Sequence, residues 1–191
     1  MKINAVKKIT TCDHLNLFSV NYNDRKNCDK NWIFASRSTH PNPLEQDFSL
    51  PDAVVIVPYH CHEKKLVLIK EFRVVLGGYQ YGFPAGLVDK GETIQESAAR
   101  ELKEETGLTV LEFKKISPPI YSSSGMTDES VSMVYVDCAG DPSNEGNTGS
   151  EDIQPIFVSP EEASAICNND DLKVDVKTWL VLSVYGETGR I

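Results

Sequence analysis

Long apolar runs are scarce in this chain. The longest, Ala53 to Val57, is five residues, far short of the ~20 that cross a bilayer. The N-terminal stretch MKINAVKKITTCDHLNLF also lacks the apolar core of a secretory signal. Positive charge is in deficit: 19 Lys and Arg against 28 Asp and Glu leave a net charge of −9. General nucleic-acid binding needs a basic footprint, so that class is excluded. The five cysteines are odd in number and show no C-x-x-C spacing, which argues for reduced thiols rather than a disulfide framework. These absences together predict a soluble cytoplasmic protein that binds neither membrane nor nucleic acid. An anionic substrate would need a cation or local arginines to overcome the protein's own field.

What is present is a globular composition, 40% hydrophobic and 25% charged over 191 residues, enough for one cored domain and a small appendage. Residues 15–22 (LNLFSVNY) and 31–37 (NWIFASR) read as strands joined by a polar turn. A Pro-containing link at 40–51 marks a boundary, dividing an N-terminal β-hairpin region (1–50) from a main domain (51–191). Ala53 to Tyr59 and Leu66 to Phe72 predict a second hairpin, and 79–83 a short strand. Thr93 with Glu96 makes a capping box and Gly107 a C-terminal stop, which set a helix over about 94–106. Strands are expected near 109–117, 130–137 and 153–158. A mobile Gly/Asn/Ser-rich loop is expected at 139–150, a helix opens at Pro160, and a last helix runs from about Asp175 to Tyr185. The expected class is mixed α/β or α+β.

The central helix is the informative element. GLVDKGETIQESAARELKEETGL, Gly86 to Leu108, carries five glutamates and Asp89. The bland reading is a solvated face, in which acids lie opposite the apolar side. Here Glu101 and Glu105 lie about 40° apart on the helix. They share a stripe with Ile94, beside Ala98 and Leu102. Like charges at this spacing repel. A hard divalent cation taken up by carboxylate oxygens would compensate them.

Gly86, five residues, Glu92, seven residues, then Arg100-Glu101-Leu102-Lys103-Glu104-Glu105-Thr106-Gly107-Leu108 resembles the Nudix box at every fixed position. Chance agreement at seven positions of roughly 6% abundance has odds on the order of 10⁻⁸ to 10⁻⁹ per start. The resemblance implies a Nudix fold, with a mixed sheet between helices, and hydrolysis of a nucleoside diphosphate linked to another group. It further implies Mg²⁺, for which Mn²⁺ can substitute, held by Glu101 and Glu105 with Glu104 and the carbonyl of Ala85. Glu92 and Arg100 would brace the helix against the loop before it. Metal-assisted attack of water on phosphorus is the implied chemistry.

The flanks are similar to the ADP-ribose pyrophosphatase branch, and the likeness covers about residues 30 to 185. KEFRVVLGGYQYGFPAG (70–86) resembles its strand leading into a Pro-Ala-Gly turn, and NWIFASR a segment that meets the substrate. Trp32 is then expected to stack on a base, and Arg37 and Arg73 to pair with phosphate oxygens. Glu129, ending the flexible loop SSSGMTDE, is expected to close over the substrate as general base, with Glu104 the competing base. Gly82 departs from the branch, where relatives often carry a glutamate. The branch also implies a homodimer in which residues 1–50 take part, since a lone hairpin is poorly stable.

The expected activity is thus metal-dependent hydrolysis of ADP-ribose, or a related ADP-sugar, to AMP and ribose 5-phosphate. Other sugar nucleotides, NADH and oxidised nucleotides are alternatives within the class. A non-catalytic nucleotide-sensing module is the alternative outside it. His60-Cys61-His62 has metal-ligand types, but strand neighbours alternate faces and no second ligand pair accompanies them.

Overall fold

The computed structural model describes residues 1–44 and 50–191. Part of the expected 40–51 link, residues 45–49, lies outside the described residues. Contacts divide the chain into two compact units, one of residues 1–52 and 118–131, the other of residues 53–117 and 132–191.

The first unit is built on an antiparallel sheet of β1 (Lys2–Lys8), β2 (Asn16–Asn23) and β3 (Asp29–Ser36), in that order. The β2–β3 hairpin pairs Asn16 with Ser36 through to Asn23 with Asp29. Its turn closes because the Asp24 carboxylate accepts the backbone N–H groups of Lys26 (2.8 Å) and Cys28 (2.9 Å). Asn27 takes the left-handed conformation, φ 58°, which asparagine tolerates. Phe18 and Phe34, both buried, pack with ring centroids 5.8 Å apart. Strand β1 was not anticipated. It is mostly exposed, and a register shift between Ile3 and Ala5 breaks its two-residue period. Its pairing gives the hairpin the third strand that such sheets need. The unit's second segment contributes β9 (Ile120–Tyr121), paired with the start of β10 (Ser130–Ala139).

The second unit contains β4 (Ala53–His60), β5 (Lys65–Arg73), β6 (Gly78–Gly82), β7 (Ala85–Leu87), α1 (Ile94–Thr106), β8 (Thr109–Ile116), most of β10, β11 (Ile153–Val158), α2 (Pro160–Cys167), β12 (Lys173–Val174) and α3 (Val176–Thr188). The sheet runs β12-β6-β5-β4-β10-β8, with β11 also on β5 and β7 on β4. The short β12 lies parallel to β6, whereas β5–β6 and β8–β10 are antiparallel, so the sheet is mixed. The architecture is mixed α/β with three α-helices among the described residues. None is long and apolar enough to cross a membrane.

The capping box at Thr93 and Glu96 is formed, and Gly107 ends α1 at φ 74°. That helix buries Ala98 and Leu102 against Val54, Ile56, Val67, Leu108, Val134 and Val136. Helix α3 continues three residues past the expected end at Tyr185. Gly186 lies within it because α2 and α3 approach closely there: a Cβ would collide with the Ser164 hydroxyl. The expected loop after β10 is irregular but tied down. Ser143 N–H donates to Thr106 O (2.8 Å), Asn147 Nδ2 to Ile153 O (3.1 Å) and Phe72 N–H to Asp152 O (3.0 Å). Because Leu102 is wholly buried, Leu102→Ala should cost about 3 kcal/mol of stability. Urea unfolding would read this, and a loss below ~1 kcal/mol would contradict the packing described.

Candidate active site

The site begins with the turn that precedes α1. Phe83 N–H donates to the Thr178 hydroxyl of α3 (3.1 Å), and the carbonyl of Pro84 accepts from Ile56 N–H (2.8 Å). This fixes Pro84 between two elements, so β7 pairs with β4 and carries Ala85 and Gly86 under α1. Glu105 reaches back from α1, its Oε2 accepting the Ala85 N–H at 3.0 Å. Glu101 packs against Gly86, where any Cβ would overlap its carboxylate. Only glycine leaves room for that approach.

Both carboxyls are drawn out of water. Burial pushes Glu105 up to about 8, against the lowering effect of the Ala85 N–H, with Glu101, Glu71 and Glu151 adding negative field. Glu101, 13% exposed, is likewise raised by burial, opposed by the Arg100 guanidinium. Arg100 is the compensating cation. It grips both oxygens of Glu92 at 2.9 Å, touches Glu101 at 2.6 Å and Glu104 at 3.4 Å, and donates to Leu87 O at 3.1 Å. Glu92 also accepts from the Ser97 hydroxyl at 2.6 Å. Arg100 and Ser97 hold the Glu92 carboxyl down to about 2.

Of the predicted site residues, Ala85, Glu92, Arg100, Glu101 and Glu105 therefore converge around the turn. Glu104 points outward, 53% exposed. Among the described residues, no three Asp, Glu, His or Cys side chains gather closely enough to hold an ion. Arg100 instead pairs with Glu101 and Glu104. The donor set still suits a hard cation: carboxylate oxygens and a backbone carbonyl beside a glycine cradle. Arg73 ends β5, its Nη1 3.0 Å from Glu71, with half the side chain exposed.

Glu71 was missed from sequence. It is an acid late in the apolar strand LVLIKEFR, 16% exposed and raised by burial, and its field acts on Glu105. An acid set into an apolar strand was the available signal. Gly82 has open space beyond its Cα, so sterics do not account for the absence there of the glutamate that the branch resemblance leads one to expect. His60 is buried, its Nε2 3.0 Å from Gly140 O and its Nδ1 accepting Glu63 N–H at 3.1 Å. One ring nitrogen thus holds the β4–β5 turn, and the other ties it to the chain just past β10.

Trp32, Arg37 and Glu129 fall together in the first unit. Trp32 donates its ring N–H to Gly125 O (3.0 Å), and Arg37 Nε meets Glu129 Oε2 at 2.9 Å. A cavity of about 840 Å³ in this unit is lined by Trp32, Phe34, Tyr22, Ser36 and Asp128, among others. That size suits a nucleotide or drug-sized ligand. The loop expected to be flexible has bonded partners along its length: Ala35 N–H donates to Met126 O (2.8 Å) and the Ser36 hydroxyl to Asp128 (2.8 Å).

Set beside known proteins, residues 49–180 match the NUDIX domain family. The chain belongs to the Nudix family. Its relatives include proteins named for ADP compounds. A Caenorhabditis elegans relative named for the nudix hydrolases is 34% identical over 158 residues, 78% of this chain and 70% of that protein. The ADP-ribose pyrophosphatase of Saccharomyces cerevisiae is 31% identical over 69% of this chain, which spans 56% of the yeast protein. The ADP compounds hydrolase NudE of Escherichia coli is 43% identical over 77 residues, 38% of this chain and 40% of that protein. A crystal structure of an ADP compounds hydrolase matches the fold with a TM-score of 0.70 at 23% identity, covering 100% of this chain and 96% of that one.

The Glu92–Arg100 pair has a pH signature. A carboxyl held at about 2 in the fold, against about 4.5 when free, stabilises the native state fully above the free value. That contribution is lost as pH falls from about 4.5 through about 2. Glu92→Gln should therefore lower the thermal midpoint at pH 7, and the gap should close toward pH 2. A gap independent of pH would refute the ion pair.

Proposed function

We propose that the protein is a metal-dependent pyrophosphatase that hydrolyses ADP-ribose, or a related ADP-sugar, to AMP and ribose 5-phosphate. The observation that carries this is the half-buried carboxylate pair, Glu101 and Glu105, folded against Ala85 and Gly86 within an unbroken motif. Relatives named as ADP-ribose, ADP-sugar and ADP compound hydrolases support the substrate class. Glu101, Glu105, the Ala85 carbonyl and the outlying Glu104 would hold Mg²⁺, with Mn²⁺ as a substitute. When bound, the ion neutralises diphosphate charge and lowers the pKa of a coordinated water. Arg73 and Arg37 pair with phosphate oxygens. Trp32 stacks the adenine, and the cavity beside it receives the nucleoside. Glu129 takes the proton from the attacking water, while Glu92 and Arg100 position the acidic helix.

The protein acts in the cytoplasm, where its five free thiols stay reduced, and binds neither membrane nor nucleic acid. It works as a homodimer through residues 1–50. Light scattering at twice the 21.2 kDa chain mass is the expected result, and the chain mass itself would count against the dimer.

The decisive experiment is product chromatography after incubation with Mg²⁺ and ADP-ribose, ADP-glucose, NADH or an oxidised nucleoside triphosphate. AMP and ribose 5-phosphate, formed fastest from ADP-ribose, are expected. Faster cleavage of another member would move the substrate assignment, with Gly82 the first position to test. Glu105→Gln should cut turnover about 100-fold or more while the thermal midpoint stays close to that of the wild type, because the amide keeps the acid's shape and its oxygen can still accept the Ala85 N–H. Wild-type turnover in that variant would disprove the metal site.

A further inference from the structure

Residues on the β3 side of the first unit are bonded in register to the loop that bears Glu129. Trp32 N–H holds Gly125 O, and Ala35 N–H holds Met126 O with a parallel bridge from Ala35 to Thr127. The buried Ser36 hydroxyl holds Asp128, and Arg37 meets Glu129. On the far side of Glu129, Ser130 is fixed by Asp52, whose carboxylate accepts the Ser130 N–H at 2.7 Å and its hydroxyl at 3.0 Å. Glu129 therefore sits between two anchors, and the first is the strand whose tryptophan also lines the cavity. Trp32 keeps 52% of its surface exposed even though its ring N–H is committed. Its face and its edge are thus available for separate tasks.

We infer that Trp32 and Ser36 are positioning residues for Glu129, so that occupation of the cavity by a nucleoside fixes the loop carrying the base. The inference rests on the hydrolase reading above, and it adds a role that stacking alone does not supply. A base pressed on the indole face restrains the ring, and the restrained ring holds Gly125 through its N–H. Ser36 performs the same service at Asp128, one residue before Glu129.

Two variants separate this role from substrate contact. Trp32→Phe keeps an aromatic face and removes the N–H; Ser36→Ala removes only a buried hydroxyl. Each should lower kcat about fivefold, the effect of one lost hydrogen bond, with KM changed less than twofold. Trp32→Ala should raise KM as well. Hydrogen–deuterium exchange of the 121–130 peptide, measured with and without AMP, supplies a readout besides turnover. In the wild type AMP should slow exchange there, and in Trp32→Phe that protection should be lost. Unchanged kcat in both variants, or a raised KM alone, would overturn the positioning role. Should the wild type cleave nothing, the hydrolase reading falls and the exchange arm still decides. AMP protection that needs the indole N–H supports the coupling, and protection equal in wild type and Trp32→Phe refutes it.

Discussion

Two carboxylates on one turn of a helix, both withdrawn from water, are the constraint around which the second unit is arranged. Charges at the ~6 Å spacing of such a pair repel by about 3 kcal/mol at an effective dielectric near 20. Burial raises the cost of each charge further. The chain meets this in two ways. Arg100 lies beside Glu101 as a neutralising cation, and Glu105 takes a backbone N–H from Ala85 while its own carboxyl is pushed toward protonation. Neither relieves the whole acidic field, because Glu71 and Glu151 add to it. A fold that tolerates such a cluster must hold it rigidly.

The rigidity comes from the far side of the chain. Thr178, buried on α3, fixes Phe83, and β4 fixes Pro84, so the turn cannot withdraw from under α1. The Glu92–Arg100 grip then sets the helix against the loop that follows the turn, with Leu87 O and Ser97 as additional contacts. Gly86 completes the arrangement by having no side chain. In effect a helix, a three-residue strand and a distant hydroxyl cooperate to present oxygen atoms at one place.

The acidic helix was legible in sequence because its information is local. Capping box, glycine stop, apolar stripe and acid spacing all lie within Gly86–Leu108, and the helix occurs with the predicted limits. The longer main-domain strands were legible for the same reason, being short apolar runs between polar turns, whereas the brief β7 and β12 were not. What the sequence hid is non-local. Strand β1 is charged, exposed and bulged, and exists because β2 offers it an edge. Glu71 joins the acidic cluster through packing of β5, not through any spacing within the motif. Gly186, one residue past the expected end of the last helix, serves a helix crossing. Glu104, carried by the motif toward the ion, points to solvent while Arg100 leans toward it.

The loop before β10 shows the same limit most sharply. Read alone, SSSGMTDE is a polar segment with a glycine, and its composition argues for freedom. Its partners lie about ninety residues away, on a strand whose own signature was a tryptophan and an arginine suited to a nucleotide. Pairing that strand with that loop converts two separate sequence expectations, one about recognition and one about proton transfer, into a single mechanical element. A tryptophan that only stacked would need an exposed face and nothing at its edge. Here the edge is spent on a backbone carbonyl four residues before Glu129, which is the arrangement expected where binding and base placement must be linked.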